Sequence, residues 1–126
     1  MSKRTALHII LLMLSALLIF HLLVIAQIIS FDQVWGGRLK SETEMYRFEG
    51  FSVILTTFMM VILGIKNRLL KAGKNNKIIN ILIWLFAAFF LLNTFGNLMA
   101  ESKLEMIIGS LFTISAGLLC IVIAKK

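Results

Sequence analysis

Long apolar runs alternate with short polar segments along this chain, and four runs stand out. The first, residues 6–29, holds 24 positions, with His8, Ser15, His21 and Gln27 as its polar interruptions. Residues 51–65, 78–92 and 106–124 form the other three. A spanning α-helix needs roughly 20 mostly apolar residues to cross about 30 Å of hydrocarbon. The first and fourth runs meet that length alone; the second and third reach it by drawing in residues at their ends. The pattern predicts an all-α membrane protein, a single-domain four-transmembrane-helix bundle over residues 1–126. Its helices are expected at about 5–29, 42–71, 77–100 and 103–124.

Local signals place the helix ends. Ser41-Glu42-Thr43-Glu44 and Ser102-Lys103-Leu104-Glu105 both fit the capping box. In that motif the serine accepts from a first-turn amide and the glutamate returns to the serine amide. The carboxylates also favour the positive end of the helix dipole, so Glu42, Glu44 and Glu105 have a structural reason to be there. Gly73 is available as a C-cap for the second helix, and Asn75-Asn76 makes a short polar turn. The brevity of that turn predicts an antiparallel hairpin of helices two and three.

Charge then orients the bundle. Asp32, Glu42, Glu44 and Glu49 lie between runs one and two, and Glu101 and Glu105 lie between runs three and four. Nine of the 13 basic residues fall elsewhere: Lys3 and Arg4, the group Lys66, Arg68, Lys71, Lys74 and Lys77, and Lys125 with Lys126. Cytoplasmic loops collect Lys and Arg, so both termini are expected in the cytoplasm, with the protein integral to a bacterial inner membrane. The net charge of +7 is thereby explained without nucleic acid. Clustered basic residues also attract anionic headgroups, so an anionic-lipid site over residues 66–77 is the sharper reading of the middle group. Met1–Arg4 resembles the start of a signal peptide, but the apolar stretch after it exceeds the usual 7–15 residues, and run one is kept as a helix.

Polar residues inside apolar runs are the candidates for chemistry, because such side chains are costly in hydrocarbon unless they face protein or water. His21, Gln27, Glu49, Asn93 and Asn97 come from three helices and converge on one outer-leaflet level. They form an expected ligand or ion pocket, with Glu49 supplying charge and His21 a protonation site, histidine being the side chain that ordinarily titrates near neutrality. Hydrogen bonding between helices is the bland alternative. Asn80 lies at the other end, and His8 reads as an interfacial residue. No HExxH or CxxC spacing occurs and no nucleophile, base and orienter set can be assembled. No metal, cofactor or catalytic residue is therefore expected. The single cysteine, Cys120, reads as a packing residue. Gly109, Thr113 and Gly117 form a small-residue ridge on helix four, suited to close packing within the bundle or between copies. The outer loop carries Trp35, Gly36, Gly37 and Arg38; a Trp there belongs at the headgroup level.

The segment Val34-Trp35-Gly36-Gly37-Arg38-Leu39-Lys40, with Glu44-Met45-Tyr46, Phe48-Glu49 and Leu92-Asn93-Thr94-Phe95-Gly96-Asn97-Leu98, resembles uncharacterised small four-helix bacterial membrane proteins. These carry a Trp-Gly-Gly element after their first helix. The resemblance covers most of the chain and implies four spans, with no activity attached. Small multidrug resistance transporters differ by a glutamate in their first helix, and bacterial fluoride channels by a weaker charge bias. The leading expectation is binding or transport of a small solute or ion by a non-enzymatic protein, alone or as a homo-oligomer. The competing one is an accessory protein (a partner subunit, or an immunity or stress factor) acting on a membrane partner.

Overall fold

The computed structural model describes residues 1–29, 40–100 and 102–125. Trp35, Gly36, Gly37 and Arg38 lie outside the described residues. Four α-helices follow in chain order: α1 (Lys3–Ile25), α2 (Glu42–Lys71), α3 (Lys77–Leu98) and α4 (Lys103–Ala124). Each is long and apolar enough to cross a membrane.

Capping chemistry sets most of the boundaries. Ser2 accepts from the Thr5 amide at 3.1 Å, Ser41 from Glu44 at 3.2 Å and Ser102 from Glu105 at 3.4 Å. The Glu44 carboxylate does not return to the Ser41 amide as a capping box requires. It accepts from the Lys40 amide one residue earlier, at 3.0 Å. Asn76 caps α3 by accepting from both Ile78 and Ile79. At the far end of α2 the Lys74 amide bonds Leu69 O and the Gly73 amide bonds Leu70 O, a Schellman closure with Gly73 left-handed at φ +66°. Nothing lies within 4 Å of a Cβ placed on Gly73, so Gly73→Ala tests the backbone alone. It is expected to lower stability by about 1 kcal/mol in detergent-micelle thermal unfolding; an unchanged midpoint would remove the cap from the account of α2.

Three helix ends differ from the sequence expectation, and the first is the start of α1 at Lys3 rather than position 5. α3 stops at Leu98, two residues short of position 100. α1 stops at Ile25 rather than Ile29. There the chain turns through Gln27 at φ +61°, while the Ile28 amide reaches back to Leu23 O at 3.0 Å. This is the closure used by Gly73, built on a residue with a Cβ, and no glycine marks it in the sequence. Gln27 is therefore a turn residue, not the last turn of a helix.

The helices form an antiparallel ring in which α1 packs on α2, α2 on α3, α3 on α4, and α4 closes on α1. Ala6, Leu7, Ile10 and Leu14 of α1 meet Met59, Ile62 and Leu63 of α2, Ile83, Phe86 and Phe90 of α3, and Ala116, Cys120 and Ile123 of α4 in one core. The outer faces are equally apolar: Leu12, Ile54, Leu85, Leu92 and Leu111 are all well exposed. A contiguous apolar surface of this extent marks a protein that sits in lipid. Against lipid tails there is no hydrophobic driving force between helices, so close packing and interhelical polar contacts must hold the ring together.

Candidate functional site

The buried face of α2 explains how polar groups enter this bundle. Met45, Glu49, Ser52, Thr56, Met59, Leu63 and Lys66 are all buried. Their spacing of four and three residues keeps them on one stripe of a helix. That stripe carries Glu49 near its first turns, two hydroxyls toward the middle, an apolar block, and Lys66 near the end. The two charged residues are about 26 Å apart along the axis at 1.5 Å per residue.

Glu49 is completely buried, and His21 of α1 is 9% exposed. His21 Nδ1 lies 2.5 Å from Glu49 Oε2. Two lone pairs at that separation would repel, so a proton lies between ring and carboxylate. The donor is the Nδ1–H of a neutral or protonated imidazole, or the O–H of a carboxylic acid facing a bare Nδ1. On the same levels of α1 and α2, Val24 and Met45 are fully buried with Phe20 and Ile29 packed on them, and the Phe20 ring stands edge-on to the imidazole at 5.7 Å. Such surroundings strengthen a charge-assisted hydrogen bond and make loss of either partner expensive. The pair also ties α1 to α2, as does the Gln27 amide, which donates to the Tyr46 hydroxyl at 3.1 Å.

The five expected pocket residues divide into three groups. His21 and Glu49 meet, and Gln27 sits one helix end further out on Tyr46. Asn97 belongs to a separate network between α3 and α4. Its amide donates to Thr113 Oγ1 at 3.4 Å, and the Thr94 and Thr113 hydroxyls are 2.8 Å apart. Thr113 Oγ1 is also 3.0 Å from the Gly109 carbonyl. Asn93 is exposed on the surface of α3. The asparagines therefore do not join the histidine and glutamate in one hydrogen-bonded cluster. Gly109 and Gly117 face α3 within the chain: a Cβ on Gly109 would meet the Asn97 amide at 2.9 Å, and one on Gly117 would meet Leu91 at 2.8 Å. His8 is exposed and Cys120 buried.

Ser52, Thr56 and Thr94 were not singled out by sequence reasoning. The signal for the first two was the three-and-four spacing from Glu49, obscured because α2 is apolar on its other faces as well. Among the described residues no group of three His, Cys, Asp or Glu side chains is placed to hold a metal. No family profile, curated protein or solved structure matches this chain.

Proposed function

We propose that this chain is an integral inner-membrane protein with both termini cytoplasmic, and that it moves a small solute or ion across the membrane. In this reading the buried His21–Glu49 pair is its proton- or cation-binding site, in the outer half of the bundle. The observation that carries the reading is the buried contact between His21 Nδ1 and Glu49 Oε2. Ionisable side chains within spanning helices are rare and expensive, and proton relays and ion paths are built from them. Here an acid and a base from different helices share a proton about 10 Å in from the first residue of α2, at 1.5 Å per residue. Ser52 and Thr56 continue the buried polar line from Glu49 toward the centre. The role is binding and transfer, without covalent chemistry on a substrate.

Reconstitution into vesicles with an imposed proton gradient tests this directly. The wild-type protein is expected to dissipate the gradient faster than empty vesicles. Glu49→Gln keeps the shape and a hydrogen bond to His21 but cannot exchange a proton, and is expected to reduce the rate at least about tenfold. Equal rates for variant and wild type would overturn the assignment, as would a wild-type rate no faster than lipid alone. A second protein co-purifying in fixed ratio, with binding unaffected by the variant, would favour the accessory reading.

A further inference from the structure

Lys66 is one of the most buried side chains in the molecule, at 2% exposure. A lysine little more than one turn from the end of a spanning helix ordinarily extends its stem outward and leaves the ammonium in water. Lys66 turns inward instead. Its Nζ donates to Asn80 Oδ1 at 2.6 Å, and Asn80 Nδ2 donates to Asn75 Oδ1 at 2.7 Å. The second bond fixes the Asn80 amide with its carbonyl oxygen toward the amine. An ammonium has three N–H donors, and among the described residues Asn80 is its one hydrogen-bond partner, with no carboxylate paired to it.

A cavity of about 350 Å³ opens beside this amine. Lys3 from α1, Lys66 from α2, Lys74 from the α2–α3 turn and Lys125 after α4 all line it, together with Asn75 and Asn80. No acidic side chain is among the described residues that line it. Attraction to helix C-termini accounts for cations near the ends of α2 and α4, and the topological bias accounts for their number. Neither accounts for a lysine drawn inward toward three others. Four like charges around one partly enclosed space repel, and a buried one lacks the screening that water and salt give at a surface.

We propose that this cavity binds a phosphate-bearing anion, with Lys66 and Asn80 as its floor and Lys3, Lys74 and Lys125 as its rim. A phosphate carries the compact multiple negative charge and the several acceptor oxygens that match separate ammonium donors, and lysine is a common point-charge partner for it. The space holds about ten waters at about 30 Å³ each, ample for one phosphate group with its remaining hydration. The anion is either the headgroup of an acidic phospholipid or a soluble phosphate compound. The site stands apart from the His21–Glu49 pair and does not depend on its role.

The test uses the full chain in neutral detergent, stripped of lipid. Native mass spectrometry follows retention of phosphatidylglycerol against phosphatidylcholine with the same acyl chains, and calorimetry follows inorganic phosphate at millimolar concentration. Preferential retention of phosphatidylglycerol with no phosphate binding supports the site and assigns it to lipid. Phosphate binding without lipid supports it and assigns it to a soluble ligand. Lys66→Met is expected to weaken whichever ligand binds by about tenfold or more. Lys74→Met, which alters an exposed turn residue and leaves the packing alone, is expected to weaken it a few-fold. Lys103→Met removes the same charge at the opposite end of the bundle and is expected to leave binding unchanged. The proposal is overturned if neither ligand binds preferentially, if Lys66→Met and Lys74→Met both bind as the wild type does, or if Lys103→Met loses as much as they do.

Discussion

His21→Leu is expected to destabilise the bundle by about 3 kcal/mol, the scale set by removing one partner of a buried charged pair. The variant removes the imidazole that lies against the buried Glu49 carboxylate. The carboxylate loses that hydrogen bond at a buried position where water does not replace it. Glu49→Leu is expected to cost less, about 1–2 kcal/mol, because a neutral imidazole loses one hydrogen bond and no charge is left behind. The double variant His21→Leu/Glu49→Leu should recover most of the loss, since two well-packed apolar residues often equal or exceed a buried pair in stability. Equilibrium unfolding of all four proteins in mixed micelles gives the coupling energy by a double-mutant cycle. A coupling above about 2 kcal/mol identifies a charged pair, whereas a value near 0.6 kcal/mol is the ordinary scale of polar contacts between membrane helices. Additive single losses would mean that the two residues are neighbours and nothing more. A stability loss in His21→Leu also separates two roles, because Glu49→Gln is designed to remove proton exchange while keeping the contact.

The sequence was most legible where the physics is local. Serine caps with an acid in the first turn occur at the starts of α2 and α4, and the glycine that must adopt positive φ closes α2. Depth along each helix was legible too, since counting residues from the ends of the apolar runs puts His21 and Glu49 at one level. Helix phase was not. α3 is apolar on nearly every side over residues 78–92, so its pattern gives no direction to the core. The buried positions are Ile79, Ile83, Phe86, Ala87, Phe90 and Thr94, and Asn93 falls one residue out of phase with them. The early end of α1 was hidden for a different reason: Gln27 occupies the left-handed position that glycine normally signals. Lys66 was hidden by its surroundings, since a basic residue near the end of a span reads as an interfacial charge. Its neighbours Arg68 and Lys71 are exposed in the last turn of α2, where the negative end of the helix favours cations.

The contact of α3 with α4 carries the second large effect, an expected loss of about 3 kcal/mol in Gly117→Leu, the upper part of the range for overpacking. A Cβ at Gly117 would stand 2.8 Å from Leu91 Cδ2, 2.9 Å from Leu91 Cγ and 3.5 Å from the Ala87 carbonyl oxygen. Clearing both Leu91 atoms takes a rotation about χ1 of that side chain, so Gly117→Ala should also cost stability, though less than leucine. A full leucine side chain has to grow toward the Ala87 backbone, which can give way only if α3 itself moves. Separation of the two helices would also stretch the Thr94–Thr113 contact, now 2.8 Å. Gly64→Leu is the control, since nothing lies within 4 Å of a Cβ there, and its effect should stay within about 0.5 kcal/mol. Unfolding in mixed micelles, together with the mass of the detergent-solubilised particle, distinguishes the two uses of the ridge. Lower stability at unchanged mass is the expected result and assigns the ridge to packing within one chain. A fall in mass with the folded chain intact would instead assign it to contact between copies, leaving α3 and α4 held by the core around Phe90 and Ala116 alone.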